Sequence, residues 1–196
     1  MTDMRPRRIP LTDEIIAECE HILERGEIDQ TIAFDLDDRW KPLAFDDDGD
    51  FGVVVVATRD DHRNVHIWTQ EFRRRESAWS RSGSGGGGGN ETHLPPRPTS
   101  TEGWYQTSLH GSSQAGPRFR GTPPRPPDHH AVFQAREGVA MVELRGNQQW
   151  VPDHGFFCVA WRGPFFPDVE LLNSGGHRLC VVSEPTSRMP PQPPTV

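Results

Sequence analysis

The sequence predicts a mainly β protein, an antiparallel β-sandwich of about seven strands with one N-terminal α-helix and a long Gly/Pro-rich insert. Three observations lead there. β-Branched and aromatic runs such as VVVVA, VHIWTQEF and GFFCVAW recur with turn residues between them, one segment near the N-terminus has helical periodicity, and the middle of the chain has no period at all. Hydrophobic residues are 33% of the 196, with 19 glycines and 19 prolines. Part of such a chain cannot bury a core.

Residues 11–26, LTDEIIAECEHILERG, carry Ile15, Ile16, Cys19, Ile22 and Leu23 on one helical face. Thr12 is placed to cap this helix, Leu11 to staple onto Ile16, and Gly26 to end it; Asp13 and Glu14 suit the positive end of the helix dipole. The acidic stretch that follows closes with Asp48-Gly49, a hairpin-turn signal. A first hairpin is expected over 52–79. Val53 to Ala57 are apolar on both faces and read as a central strand, with 65–72 as its antiparallel partner, Val65 and Ile67 on one face and His66 and Trp68 on the other.

From 80 to 130 the pattern breaks into RSGSGGGGGN, LPPRP and TPPRPP, which reads as a flexible insert. Strands resume over 131–184, with turns at Arg145 to Asn147 and Asn173 to Gly176, and 185–196 reads as a frayed tail. The whole of 1–196 is expected to be a single domain, because neither set of strands closes a core alone.

Composition excludes several function classes. A net charge of −7 disfavours binding to nucleic acid or anionic lipid, and no run of 18 apolar residues or secretory h-region is present. Cys19, Cys158 and Cys180 form no CxxC pair and read as reduced thiols in apolar surroundings, so a cytoplasmic location is expected.

Gly83, Gly85 and Gly88 satisfy a dinucleotide fingerprint, yet NETHLPPRP after them cannot start the helix that a pyrophosphate site needs. The glycine run is expected to be linker. Gly111-x-Ser113-x-Ala115 is a relaxed nucleophile elbow, with Asp128 and His129 or His130, or Asp153 and His154, as downstream partners. Pro117 opposes the helix that an elbow requires. His62, His66, His129 and His130 lack ligand spacing, and the Asp46 to Asp50 cluster fails the EF-hand register, so neither a metal nor a cofactor is expected. Arg73 to Arg75 are expected on a solvated strand edge.

The favoured function is a non-enzymatic binding module with a protein partner. Its partner-binding residues are expected to be Phe165, Phe166, Trp161, Trp104 and Tyr105, since Gly163-Pro164 and Pro167 take two adjacent phenylalanines out of any strand; the alternative for this loop is that it folds back to plug the open end of the sandwich. A serine hydrolase using Ser113, or an immunity or antitoxin-like protein, are the alternatives.

Overall fold

A computed structural model describes residues 12–28, 34, 37–88, 91–99, 103–113 and 126–183, so the expected tail and staple residue lie outside the described residues. Among the described residues one helix, α1 (Asp13–Arg25), precedes eleven strands. These are β1 (Trp40–Asp47), β2 (Phe51–Arg59), β3 (Val65–Arg75), β4 (Ala78–Gly88), β5 (Tyr105–Ser113), β6 (Asp128–Ala135), β7 (Met141–Leu144), β8 (Asn147–Trp150), β9 (Phe156–Arg162), β10 (Val169–Leu172) and β11 (Arg178–Val181). Every pairing is antiparallel.

The strands form three sheets: a first sheet in the order β1-β2-β3-β4, a middle sheet β5-β6-β9 and an outer sheet β11-β10-β7-β8. Alternation along the strands sets the layers. Val54 and Val56 of β2 pack with Ile15, Cys19, Ile22 and Leu23 of α1, while Val55 and Ala57 face Val132 of β6 and Cys158 of β9. The opposite face of the middle sheet, with Ala131, Phe133, Val159 and Trp161, packs on Val142, Leu144, Val169 and Leu171 of the outer sheet. β2 is therefore buried from Phe51 to Thr58, as a strand covered on both faces must be.

α1 begins and ends where its residues dictate. The Thr12 hydroxyl accepts from the Ile15 N–H, and Gly26 takes the left-handed conformation at φ 71°. Each of Ile15, Ile22 and Leu23 contributes about 1.5–3 kcal/mol by leaving water. Leu23 also fills the hollow over Gly52, where a Cβ would come within 2.8 Å of its methyl group.

The mainly β, antiparallel architecture with an N-terminal helix is as expected, with eleven strands among the described residues where about seven were expected. β1, β4 and β5 are additional, and the segment before the Arg145 turn divides into β6 and β7. The largest difference is the glycine run, which continues β4 through Gly88 and pairs with β3 as far as His66. Close approach explains why a strand uses glycine here: a Cβ on Gly86 would lie 2.4 Å from Trp68 Cε3, and one on Gly83 would lie 2.7 Å from Glu71 Oε2. Trp68 is held over Gly86 by its indole N–H, which donates to Thr58 Oγ1 at 3.1 Å.

Further along the same tract, Arg97 donates to the carbonyls of Ala135 and Val139, and Gln134 donates to the Pro95 carbonyl. Residues 91–99 are thus fastened to β6. Arg73 is likewise not on an edge: β3 lies between β2 and β4, and Arg73 turns inward.

Gly86→Val should cost about 1–3 kcal/mol, because Trp68 must leave its place over the strand. Urea unfolding measures it. An unchanged midpoint would show that the glycine run does not pair beneath Trp68.

Candidate functional site

Part of the polar and aromatic set singled out by the sequence, including Asp128, His129, His130 and Trp161, gathers at one end of the packed sheets, where β3, β6 and β9 meet the β1–β2 turn, while Trp104, Tyr105 and His154 lie at the other end. On β3 the inward face runs Val65, Ile67, Thr69, Glu71, Arg73, changing from apolar to charged halfway along. On β6 the facing residues are Asp128, His130, Val132 and Gln134. Asp128 is fully buried and meets two guanidinium groups, Arg73 Nη2 at 2.6 Å and Arg162 Nε at 3.3 Å. Arg162 also reaches Asp50 at 3.1 Å and so ties the middle sheet to the turn of the first.

His130 is buried beside Glu71, with Nδ1 3.5 Å from Oε1 but without hydrogen-bond geometry. Burial pushes the imidazole down to about 4, with His110 and His129 adding to the effect. The Glu71 carboxyl is raised by burial, which outweighs the lowering by Arg73 and is reinforced by Asp128. Gly111 makes room for the ring: a Cβ there would come within 2.4 Å of His130 Cε1. A neutral imidazole of this kind is a poor general base near pH 7.

The register places Ser113 opposite Asp128, Ser112 opposite His129 and Gly111 opposite His130. Chain order groups Asp128 with His129 or His130 as partners of Ser113. Instead Asp128 and His130 point toward the first sheet, each with a different partner, while His129 points the other way and stacks on Trp161 at 5.2 Å. His110 stacks on the same indole at 6.2 Å. His154 is at the far end of β9, its Nδ1 accepting from the Phe156 N–H. His62 and His66 both bond to Asp60, the former through its backbone. Among the described residues no group of three His, Cys, Asp or Glu side chains could hold a metal ion.

The expected partner-binding aromatics separate into one exposed ring and four packed ones. Phe165 is 84% exposed. Phe166, next to it, packs edge-on against Trp161 at 5.0 Å and Phe133 at 6.2 Å, and Trp161 is buried. Tyr105 meets Phe133 edge-on and accepts from the Ser183 N–H, and Trp104 lies under the Arg136 guanidinium at 4.0 Å. The loop after β9 therefore anchors one phenylalanine and presents the other.

A second polar centre escaped the sequence reading. Asp46 is buried on β1, its Oδ2 accepting from the Ala160 N–H of β9 at 2.7 Å and both oxygens lying 3.2 Å from Arg145 Nη1. Arg145 also donates to the carbonyls of Asp47 and Ala160. It sits in the β7–β8 turn at φ 53°, followed by Gly146 at φ 79°, a turn position where asparagine or glycine is usual. The guanidinium it delivers to Asp46 accounts for the arginine. Burial pushes the Asp46 carboxyl up to about 7, against the lowering by Arg145 and the Ala160 N–H.

The chain matches no protein-family model, no curated protein and no solved structure. No helix among the described residues is long and apolar enough to cross a membrane.

Asp46 binds its proton more tightly when folded, at about 7 against an ordinary 3.8, so the stability it contributes is fully present below about 4 and is lost as pH rises through about 7. Asp46→Asn removes that titration. The stability of the wild type minus that of the variant should therefore rise by roughly 2–4 kcal/mol as pH falls across this window. Buried His130 and partly buried His154, both held near 4, titrate with the opposite sign in both proteins and cancel in the difference. Denaturant melts at several pH values measure it, and a flat difference would contradict the assignment.

Proposed function

We propose that this protein is a non-enzymatic binding module whose protein partner takes Phe165 into an apolar pocket. The observation that carries the reading is the contrast within one loop, an exposed Phe165 beside an anchored Phe166. An aromatic side chain left in water on a fixed loop is pre-organised for burial at an interface, because little conformational freedom remains to be lost on binding. Gly163, at φ 86° with its N–H on the Pro127 carbonyl, and the flanking prolines fix the loop's course. Three cysteines without a disulfide fit a reducing compartment, and a cytoplasmic place for this binding is part of the proposal.

One observation favours a second reading as a serine hydrolase, the register of Ser113 opposite Asp128. Against it stand the two arginines on Asp128 and the low-pKa imidazole of His130. A fluorophosphonate probe separates the readings: labelling of the wild type that is lost in Ser113→Ala supports the hydrolase, and no labelling supports the binding module.

Phe165→Ser should keep stability within about 0.5 kcal/mol, whereas Phe166→Ser should lose about 2–4 kcal/mol. In a pull-down with matched folded protein, Phe165→Ser should lose a partner that the wild type retains. Capture of the same proteins by both would contradict the proposal.

A further inference from the structure

α1 meets the first sheet through apolar side chains, Ile15, Cys19, Ile22 and Leu23 being the ones it buries. The surface beneath is not wholly apolar. Gln70 of β3 lies on this face, opposite Val54 of β2 and Ser84 of β4, fully buried, and neither its Nε2 nor its Oε1 has a hydrogen-bond partner. Trp79 packs in the same layer, and its Nε1 is also without a partner. Gln134, by contrast, is equally buried between sheets and bonds to Pro95, His154 and Gln106. Buried groups that forgo their hydrogen bonds raise the free energy of the docked arrangement, and water would satisfy them once the helix left.

Two further facts bear on how the helix is held. Among the described residues no hydrogen bond or ion pair joins α1 to a strand; its polar contacts are its own, Thr12 to Ile15, Glu18 to Arg25 and His21 to Glu24. Phe34 is fixed under the Arg59 guanidinium at 4.5 Å. It is eight chain steps from Gly26, a tether of at most roughly 27 Å.

We propose that α1 is a releasable cover, which undocks as a unit from an otherwise folded β core and bares Val54, Val56, Gln70 and Phe72. Local opening of this kind occurs where few bonds cross an interface and the remainder of the fold does not depend on it. The core under α1 is closed from its other side by the middle sheet, through Val55, Val132 and Cys158. Loss of the helix therefore leaves the contact between sheets in place.

The native thiols provide the test. In a Cys180→Ser background, Cys19 reports release of α1 and Cys158, buried between the first and middle sheets with Sγ 3.9 Å from the Val53 carbonyl, reports unfolding of the core. Both thiols are held unreactive by burial, Cys19 with its pKa pushed up to about 12. Reaction with an aromatic disulfide reagent should modify Cys19 at least about tenfold faster than Cys158, with a weaker dependence on urea, as local opening exposes less surface than global unfolding. Gln70→Leu removes the unpartnered amide and should slow Cys19 modification by about tenfold, with Gln70→Met as the alternative if leucine overpacks. Equal rates and equal urea dependence for the two thiols, or Gln70 variants that leave the Cys19 rate unchanged, would overturn the proposal.

Discussion

All three sheets converge on the carboxylate of Asp46. β1 supplies it from the first sheet, β9 of the middle sheet donates the Ala160 N–H, and the β7–β8 turn of the outer sheet brings Arg145. Apolar packing between these layers is large but non-directional, and by itself it does not choose the position at which one sheet lies on the next. A buried acceptor with a required donor from each neighbour does. Burial of the charge costs free energy, and the two partners offset part of that cost only when strand, edge and turn arrive together.

The same logic extends along the rim. Arg162 joins Asp128 to the β1–β2 turn, and Arg73 meets Asp128 from the first sheet, so the charged half of β3 faces charged residues of β6 while its apolar half faces Val132. Two glycines on the flanking strands complete this seam. Gly83 leaves room for the Glu71 carboxylate and Gly111 for the His130 ring, which lets an ionisable pair lie between edge strands without forcing them apart. The seam's chemistry is that of a fastening. Asp128 is matched to two arginines and His130 is held neutral near pH 7, whereas Phe165, just beyond them, is exposed.

Much of the architecture was legible in the sequence because local pattern and burial agreed. The helix cap at Thr12 and stop at Gly26, the doubly apolar run at Val53 to Ala57, and the turns at Asp48-Gly49, Arg145 to Asn147 and Asn173 to Gly176 each state their own conformation. β4 did not, since RSGSGGGGG has the composition of a flexible linker and becomes a strand through Trp68 and Glu71 of its neighbour. Asp46 is one of four aspartates over 46–50 that resemble a solvated turn, and nothing local marks the one that faces Ala160. Glu71 had a signal in the alternation that begins at Val65 and Ile67, which places it on the inner face. The aromatic loop was visible as a loop, but which phenylalanine turns inward depends on Trp161 and Phe133 from elsewhere in the fold.

If Asp46 fastens the three sheets, its energy should be inseparable from that of Arg145, ninety-nine residues away. A double-mutant cycle with Asp46→Ala, Arg145→Ala and the pair, read by equilibrium urea unfolding near pH 8 where the carboxyl is ionised, measures that dependence. A coupling of about 2–3 kcal/mol, with each single variant nearly as unstable as the double, is the predicted result. Additive losses with no coupling would show that the sheets are aligned by packing alone and would contradict the account.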